Sequence, residues 1–230
     1  MCLINFCRVD TLKNVIVTGA TGMIGSRVLQ DCLGRDDVGI VTSVARRPSG
    51  LQHLKLREIV HGDFRNFSGI ADQFENQDVC FYCLGVYTGQ VDRESFREIT
   101  VDYTVDFAEI LKRHSADSVF CFLSGQGADV TEKSRVMFAR DKGAAENALQ
   151  GMGFMHLHIF RPGYIYPVEP RREPNLTYRL MRAFYRPVSF LYPNIGTTSD
   201  ELGAAMISAA FVGCDKTVLE NRDIREMPPV

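Results

Sequence analysis

No run of apolar residues in this sequence is long enough to cross a membrane. The longest, around Ala204 to Val212, is broken by Ser208 and falls well short of the ~18 residues a spanning helix needs. The first residues, Met1-Cys2-Leu3-Ile4-Asn5-Phe6-Cys7-Arg8, have neither the basic leading region nor the apolar core of a secretory signal. Excess charge of one sign is missing too: 26 Lys and Arg against 28 Asp and Glu leave a net charge of −2. Neither nucleic acid nor a membrane surface is therefore an expected partner, and a cytoplasmic location is expected. No Gly-Lys-Ser/Thr closes a glycine-rich stretch, which excludes a nucleoside-triphosphate P-loop. The seven cysteines are an odd number scattered over a chain too large to need staples, and they read as reduced thiols. Cys80-Phe81-Tyr82-Cys83 has metal-ligand spacing but lies in an apolar run that reads as a strand, where side chains three apart point to opposite faces. His156 and His158 share a strand face without a third or fourth ligand, so no metal is expected.

The stretch that organises the chain is Asn14-Val15-Ile16-Val17-Thr18-Gly19-Ala20-Thr21-Gly22-Met23-Ile24-Gly25-Ser26-Arg27. Asn14 to Val17 read as a buried strand, because an apolar run this short and ended by glycine fits a strand covered on both faces. From Met23, the apolar residues Met23, Ile24, Val28, Leu29 and Cys32 have the spacing of a helix resting on a sheet. A strand-turn-helix junction gathers unpaired backbone N–H groups and the positive end of a helix dipole at one point, which suits a pyrophosphate. Gly19 permits the turn, Gly22 lets a phosphate approach, and Gly25 lets helix and strand pack closely.

Strand and helix patterns then alternate. Strands are expected at Gly39 to Ala45, Leu56 to His61, Asp78 to Leu84, Ser118 to Leu123 and Met155 to Phe160, with a short last one at Thr217 to Leu219. Helices are expected at Phe67 to Glu75, Asp92 to His114, Glu132 to Gln150 and Thr198 to Val212, the last capped by Thr198 or Ser199. This rhythm predicts an α/β fold, a doubly wound parallel sheet with right-handed crossovers and a ligand at the strands' carboxyl ends. The second strand ends in Arg46-Arg47-Pro48, where an adenosine ribose sits in such a sheet. Arginine pairs bidentately with a 2′-phosphate, which favours NADP over NAD. Residues 1–230 are expected to form one domain, with 164–230 on the substrate side. Arg171, Arg172, Arg179, Arg182 and Arg186, with only Glu173 among them, read either as the basic, solvated outer face of a helix or as a segment folding over the pocket.

Thr18-Gly19-x-x-Gly22-x-x-Gly25 resembles the cofactor loop of the extended and atypical short-chain dehydrogenase/reductases. Over most of the chain the likeness is to the small atypical reductases of the Tat-interacting tumour-suppressor group. It is carried by Cys83-Leu84-Gly85, Ser124 followed by Gly127-Ala128-Asp129, Lys142-Gly143 and Phe160-Arg161-Pro162-Gly163. The resemblance implies a Rossmann fold and cofactor contacts from Gly19, Thr21, Gly22, Met23, Ile24, Arg46, Arg47, Asp63, Phe64, Leu84, Gly85, Lys142, Pro162, Gly163 and Tyr164, with Asp63 at the adenine. It also implies a catalytic Ser, Tyr and Lys. Ser124 and Lys142 match two of them, and Phe138 stands where the family has its tyrosine. Losing a positioned acid typically removes 10²–10⁴-fold of rate.

Three readings follow. The first is an NADP-dependent oxidoreductase whose small-molecule acceptor, a carbonyl, quinone or flavin, needs no such tyrosine or borrows Tyr87, Tyr164 or Tyr166. The second is a regulatory protein that binds NADPH and a protein partner without turnover. The third is a sugar-nucleotide epimerase or dehydratase using NAD. The sequence carries no signal for the oligomeric state or the substrate.

Overall fold

The computed structural model describes residues 12–169 and 193–228. The expected strand-helix rhythm folds into one seven-stranded, wholly parallel sheet in the order β3-β2-β1-β4-β5-β6-β9. Its strands are β1 (Lys13–Thr18), β2 (Val38–Ala45), β3 (Leu56–Val60), β4 (Val79–Tyr82), β5 (Val119–Leu123), β6 (His156–Arg161) and β9 (Val218–Glu220). Side chains two apart share a face, so β1 splits its apolar residues between two cores. Val15 and Val17 face a layer with Val41, Phe81, Cys121 and Phe160, while Ile16 faces the other layer with Val44, Tyr82, Phe120 and Phe122. Each of these side chains is fully buried, which at ~1.5–3 kcal/mol apiece explains why the register is fixed.

Helix α1 (Met23–Gly34) and helix α5 (Ser199–Phe211) cover the first face. Arg27 on α1 binds Asp31 at 3.0 Å and Asp200 at 2.8 Å, tying the two helices together at their N-terminal ends. Helix α5 starts as expected: Thr198 caps it by accepting from Glu201 N, and the Glu201 side chain accepts from Thr198 N in a capping box. The second face carries α2 (Arg93–Arg97), α3 (Tyr103–His114) and α4 (Met137–Gly151), over a cluster of rings from Phe64, Phe67, Phe74, Phe107 and Phe120.

The structure departs from the sequence expectations in four places. The expected helix at Phe67 to Glu75 is a 3₁₀ segment, Ser68–Phe74, broken at Ile70. The long helix from Asp92 contains a π turn at Glu98–Asp102, which brings Phe96 and Val101, five residues apart, onto the same buried side. Helix α4 begins at Met137 and not at Glu132. Glu132 has a left-handed φ of 59°, and the Asp129 carboxylate holds the preceding loop by accepting from the N–H groups of Thr131, Lys133 and Ser134. Two short strands, β7 (Tyr164–Tyr166) and β8 (Gly196–Thr198), pair in a second small parallel sheet, and α6 (Asn221–Glu226) closes the fold. The arginine-rich segment from Arg171 to Arg186 lies outside the described residues.

The two cysteines of the Cys-x-x-Cys stretch point to opposite faces, as side chains three apart on a strand should: Cys80 packs in the core beneath α3, and Cys83 packs against the opposite layer. The five cysteines among the described residues are free thiols. His158 is buried with Nδ1 donating to the Lys216 carbonyl at 3.0 Å, and His156 is exposed.

Candidate functional site

Strand order reverses between β1 and β4, so the connections from these two strands leave in opposite directions and open a crevice at their carboxyl ends. At the crevice floor the chain turns from β1 into α1. Gly19 has a φ of +70°, and a Cβ on it would lie 2.4 Å from the Cys83 carbonyl oxygen. A Cβ on Gly25 would lie 2.2 Å from the Gly19 carbonyl oxygen, so both positions are closed to any side chain. Helix α1 is capped by Gly22, with no side-chain cap and no acidic residue in its first turn. The N–H groups of that turn have no intrahelical acceptor and face the crevice unneutralised, a cradle for an anion.

On the β2 side lies a pocket of about 330 Å³ lined by Gly19, Thr21, Ala45, Arg46, Arg47, Phe64 and Leu84. Both arginines point into one small space beside the phosphate turn. Asp63 is not among its lining residues: the Asp63 carboxylate accepts from Arg65 N at 2.9 Å in an Asx turn, and the neighbouring Phe64 ring lines the pocket.

On the β5 side the crevice widens to about 550 Å³, bounded by Gly22, Met23, Ile24, Leu84, Gly85, Tyr87, Ser124, Phe138, Lys142, Pro162, Gly163 and Ile165. A Cβ on Gly85 would meet nothing within 4 Å, so the strand end beneath this space is open. Ile165 of β7 lines the cleft, and alternation along the strand turns Tyr164 and Tyr166 away from Ile165's side. Phe138, the second residue of α4, has its ring tip over Gly125: a Cβ on Gly125 would lie 2.5 Å from Cζ of Phe138. The π turn carries Thr100 into the same cleft.

Lys142 is one helical turn beyond Phe138 and 8% exposed. Its Nζ donates to the Leu123 carbonyl at 2.9 Å and lies 4.8 Å from the Phe122 ring centroid. Burial pulls its pKa down to about 8, against the opposing pull of Glu146 and Cys83. Burial in turn pushes the Cys83 thiol up to about 12.

Behind Ser124 stands a polar group that the sequence reading missed. The Ser124 hydroxyl donates to Glu146, a carboxylate with no solvent exposure. Arg161 clasps that carboxylate through Nε at 3.0 Å and through Nη2, and its Nη1 reaches Glu220 at 2.9 Å. Glu146 follows Lys142 by four residues, so the two share a helix face, and that spacing is the signal that would have found it. A second buried carboxylate on α4, Asp141, pairs with Arg140 at 3.1 Å and Arg97 at 3.3 Å and holds α4 to α2.

A reduced or oxidised nicotinamide dinucleotide fits this crevice: an uncapped helix terminus for phosphates, two arginines at the adenosine end, and an open strand end before an apolar cleft. Residues 19–183 match the family model described as NAD(P)H-binding. The chain belongs to this family, among the atypical short-chain dehydrogenase/reductases. Rat protein HTATIP2 is 30% identical over 157 residues, which cover 66% of this chain and 63% of the rat protein. The Emericella nidulans protein fmp52, named mitochondrial, is 25% identical over 210 residues, 87% of this chain and 88% of that one. A Francisella tularensis protein of the short-chain dehydrogenase family superposes with a TM-score of 0.63 at 16% identity, over 93% of this chain and 99% of that one, and shows the shared fold. Other fungal relatives of this family member also carry a mitochondrial name, which overturns the expectation of a cytoplasmic location. That expectation rested on missing secretory and membrane-spanning segments, features that entry into mitochondria does not use.

Proposed function

We propose that this protein is an NADP(H)-dependent oxidoreductase whose small-molecule acceptor, a carbonyl, quinone or flavin, is reduced without a tyrosine at position 138. The observation that supports it most is the run of one crevice from a pocket flanked by Arg46 and Arg47 to a cleft holding Ser124 and Lys142. A bound nicotinamide supplies or takes a hydride. The N-terminal turn of α1 holds the pyrophosphate, and Arg46 and Arg47 pair with a 2′-phosphate. Met23, Ile24, Leu84 and Ile165 keep water from the reacting end, and Lys142 contributes a hydrogen-bond donor and a positive charge there. The described residues act as one domain, and the names of the fungal relatives support a mitochondrial location.

Titration with both dinucleotides tests the cofactor half. NADPH is expected to bind at least 10-fold tighter than NADH, and Arg46→Ala or Arg47→Ala to remove about 1.5–3 kcal/mol of that preference. Equal dissociation constants would remove the assignment of NADP. Oxidation of NADPH against panels of carbonyls, quinones and flavins tests the other half. Phe138 supports a second reading, a regulatory protein that binds NADPH and a protein partner without turnover, and NADPH binding with silence on every panel would favour it. The epimerase or dehydratase reading is weakened by the same residue, since no hydroxyl stands at position 138 to move the proton of a sugar alcohol.

A further inference from the structure

We propose that Lys142 is the proton donor of this site, its Nζ passing a proton directly to the reduced acceptor with no tyrosine between them; this rests on the oxidoreductase reading above. The side chains with a transferable proton that line the cleft are Cys83, Tyr87, Thr88, Thr100, Ser124 and Lys142, and the threonine hydroxyls are far weaker acids than an ammonium. Phe138 has none. Ser124 has one, committed to Glu146, and because Arg161 fixes that carboxylate the serine oxygen offers the cleft only lone pairs. The Cys83 thiol is too weak an acid near neutral pH. Tyr87 sits on the loop after β4, whereas Lys142 extends from the face of α4 that carries Phe138 and is anchored on the Leu123 carbonyl, next to Ser124. Its ammonium keeps two further N–H protons beyond the one given to Leu123.

The step balances. Hydride, a proton with two electrons, arrives as one C–H bond of a bound reduced nicotinamide breaks; a C–H bond forms on the carbonyl acceptor, and the C=O π pair moves to oxygen. That oxygen takes a proton from Lys142 Nζ as the N–H bond breaks, leaving a neutral amine that solvent reprotonates. The charged or titratable groups around the amine are Glu146 on its own helix, the neutral Cys83 thiol just after β4 and Arg161 of β6 behind Glu146. Asp141, also on α4, is engaged by Arg97 and Arg140. Burial already holds the amine near the pH at which an acid works best.

Two measurements test this. In cofactor-free protein with ¹³Cε-labelled lysine, the resonance that Lys142→Arg deletes should titrate near pH 8, against roughly 10.4 for ordinary lysines. In single-turnover reduction of a carbonyl that wild type accepts, the rate should fall as pH rises through the same value. Lys142→Arg keeps the charge but holds its proton too tightly, so NADPH should bind within a few-fold while hydride transfer slows about 10²–10⁴-fold and the pH limb disappears. Tyr87→Phe should retain the limb whatever its rate. A Lys142 resonance titrating with the other lysines, a Lys142→Arg rate equal to wild type, or a limb lost in Tyr87→Phe would each overturn the assignment. A wild type that binds NADPH yet reduces no carbonyl overturns it too, and if quinones and flavins are also silent the oxidoreductase reading falls with it, whereas the first three results leave that reading standing.

Discussion

Removing the Glu146 carboxylate is expected to cost more than most core substitutions, because both Arg161 and Ser124 are bonded to it. Glu146→Leu leaves the Arg161 guanidinium, 16% exposed, with only Glu220, whose own side chain is 50% exposed and solvated. It also deprives the buried Ser124 hydroxyl of its acceptor. Breaking a buried pair by deleting one partner typically costs about 3–5 kcal/mol, since the remaining charge stays desolvated. That is a large share of the roughly 5–15 kcal/mol that holds an ordinary domain together. Removing both charges is different in kind. Glu146→Leu with Arg161→Met eliminates the desolvation of both ions, leaving the lost acceptor of the Ser124 hydroxyl, about 1–3 kcal/mol, as the main cost. The coupling energy of the double-mutant cycle should therefore exceed about 2 kcal/mol, favouring the pair. Urea unfolding with matched m-values reads all four proteins, and Glu146→Gln, which keeps the shape and an acceptor, should lose about 1.5–3 kcal/mol and stays foldable if the leucine variant does not. Additive single losses, or a cost under 1 kcal/mol for Glu146→Leu, would show that the network does not hold the site together as described.

Two further substitutions test the crevice from its ends. Gly25→Ala places a Cβ 2.2 Å from the backbone oxygen of Gly19, so the β1–α1 turn must open; a stability loss of about 1–3 kcal/mol and a drop in dinucleotide affinity of at least 10-fold are expected, and unchanged affinity by titration would contradict the phosphate cradle. Phe138→Tyr returns a hydroxyl one helical turn before Lys142, and should raise single-turnover carbonyl reduction by roughly 10-fold or more while leaving the cofactor dissociation constant within a few-fold; a rate no higher than wild type, with the carbonyl demonstrably bound, would show that position 138 does not face the reacting oxygen.

The strands, the phosphate turn and the main helices were legible because each is a local pattern. Val15, Ile16 and Val17 can only be a strand buried on both faces, and Thr18 to Gly25 can only be a tight turn into a helix, whatever surrounds them. The capping box of Thr198 and Glu201 lies within one turn and was equally readable. What escaped involved few residues or distant ones. Three-residue strands such as Tyr164–Tyr166 and Gly196–Thr198 show too little period-2 pattern, and they pair across 32 positions where Gly196 lets the backbones touch. The start of α4 was displaced because the Asp129 side chain satisfies backbone groups that a helix would otherwise have used. The aim of Asp63 into its own turn and of Tyr164 away from Ile165's side is likewise fixed by neighbours that the sequence does not name.

By itself the sequence determined a parallel doubly wound sheet, a dinucleotide turn and the phenylalanine that replaces a hydroxyl, because periodicity, glycine spacing and residue type are properties of the chain. Tertiary structure alone decided that Glu146 is buried, that Arg161 and Glu220 complete its pairing, and that Ser124 spends its proton on it. Hydrogen bonds and burial depend on which atoms meet across α4, β5, β6 and β9, and those meetings exist only once the sheet has closed.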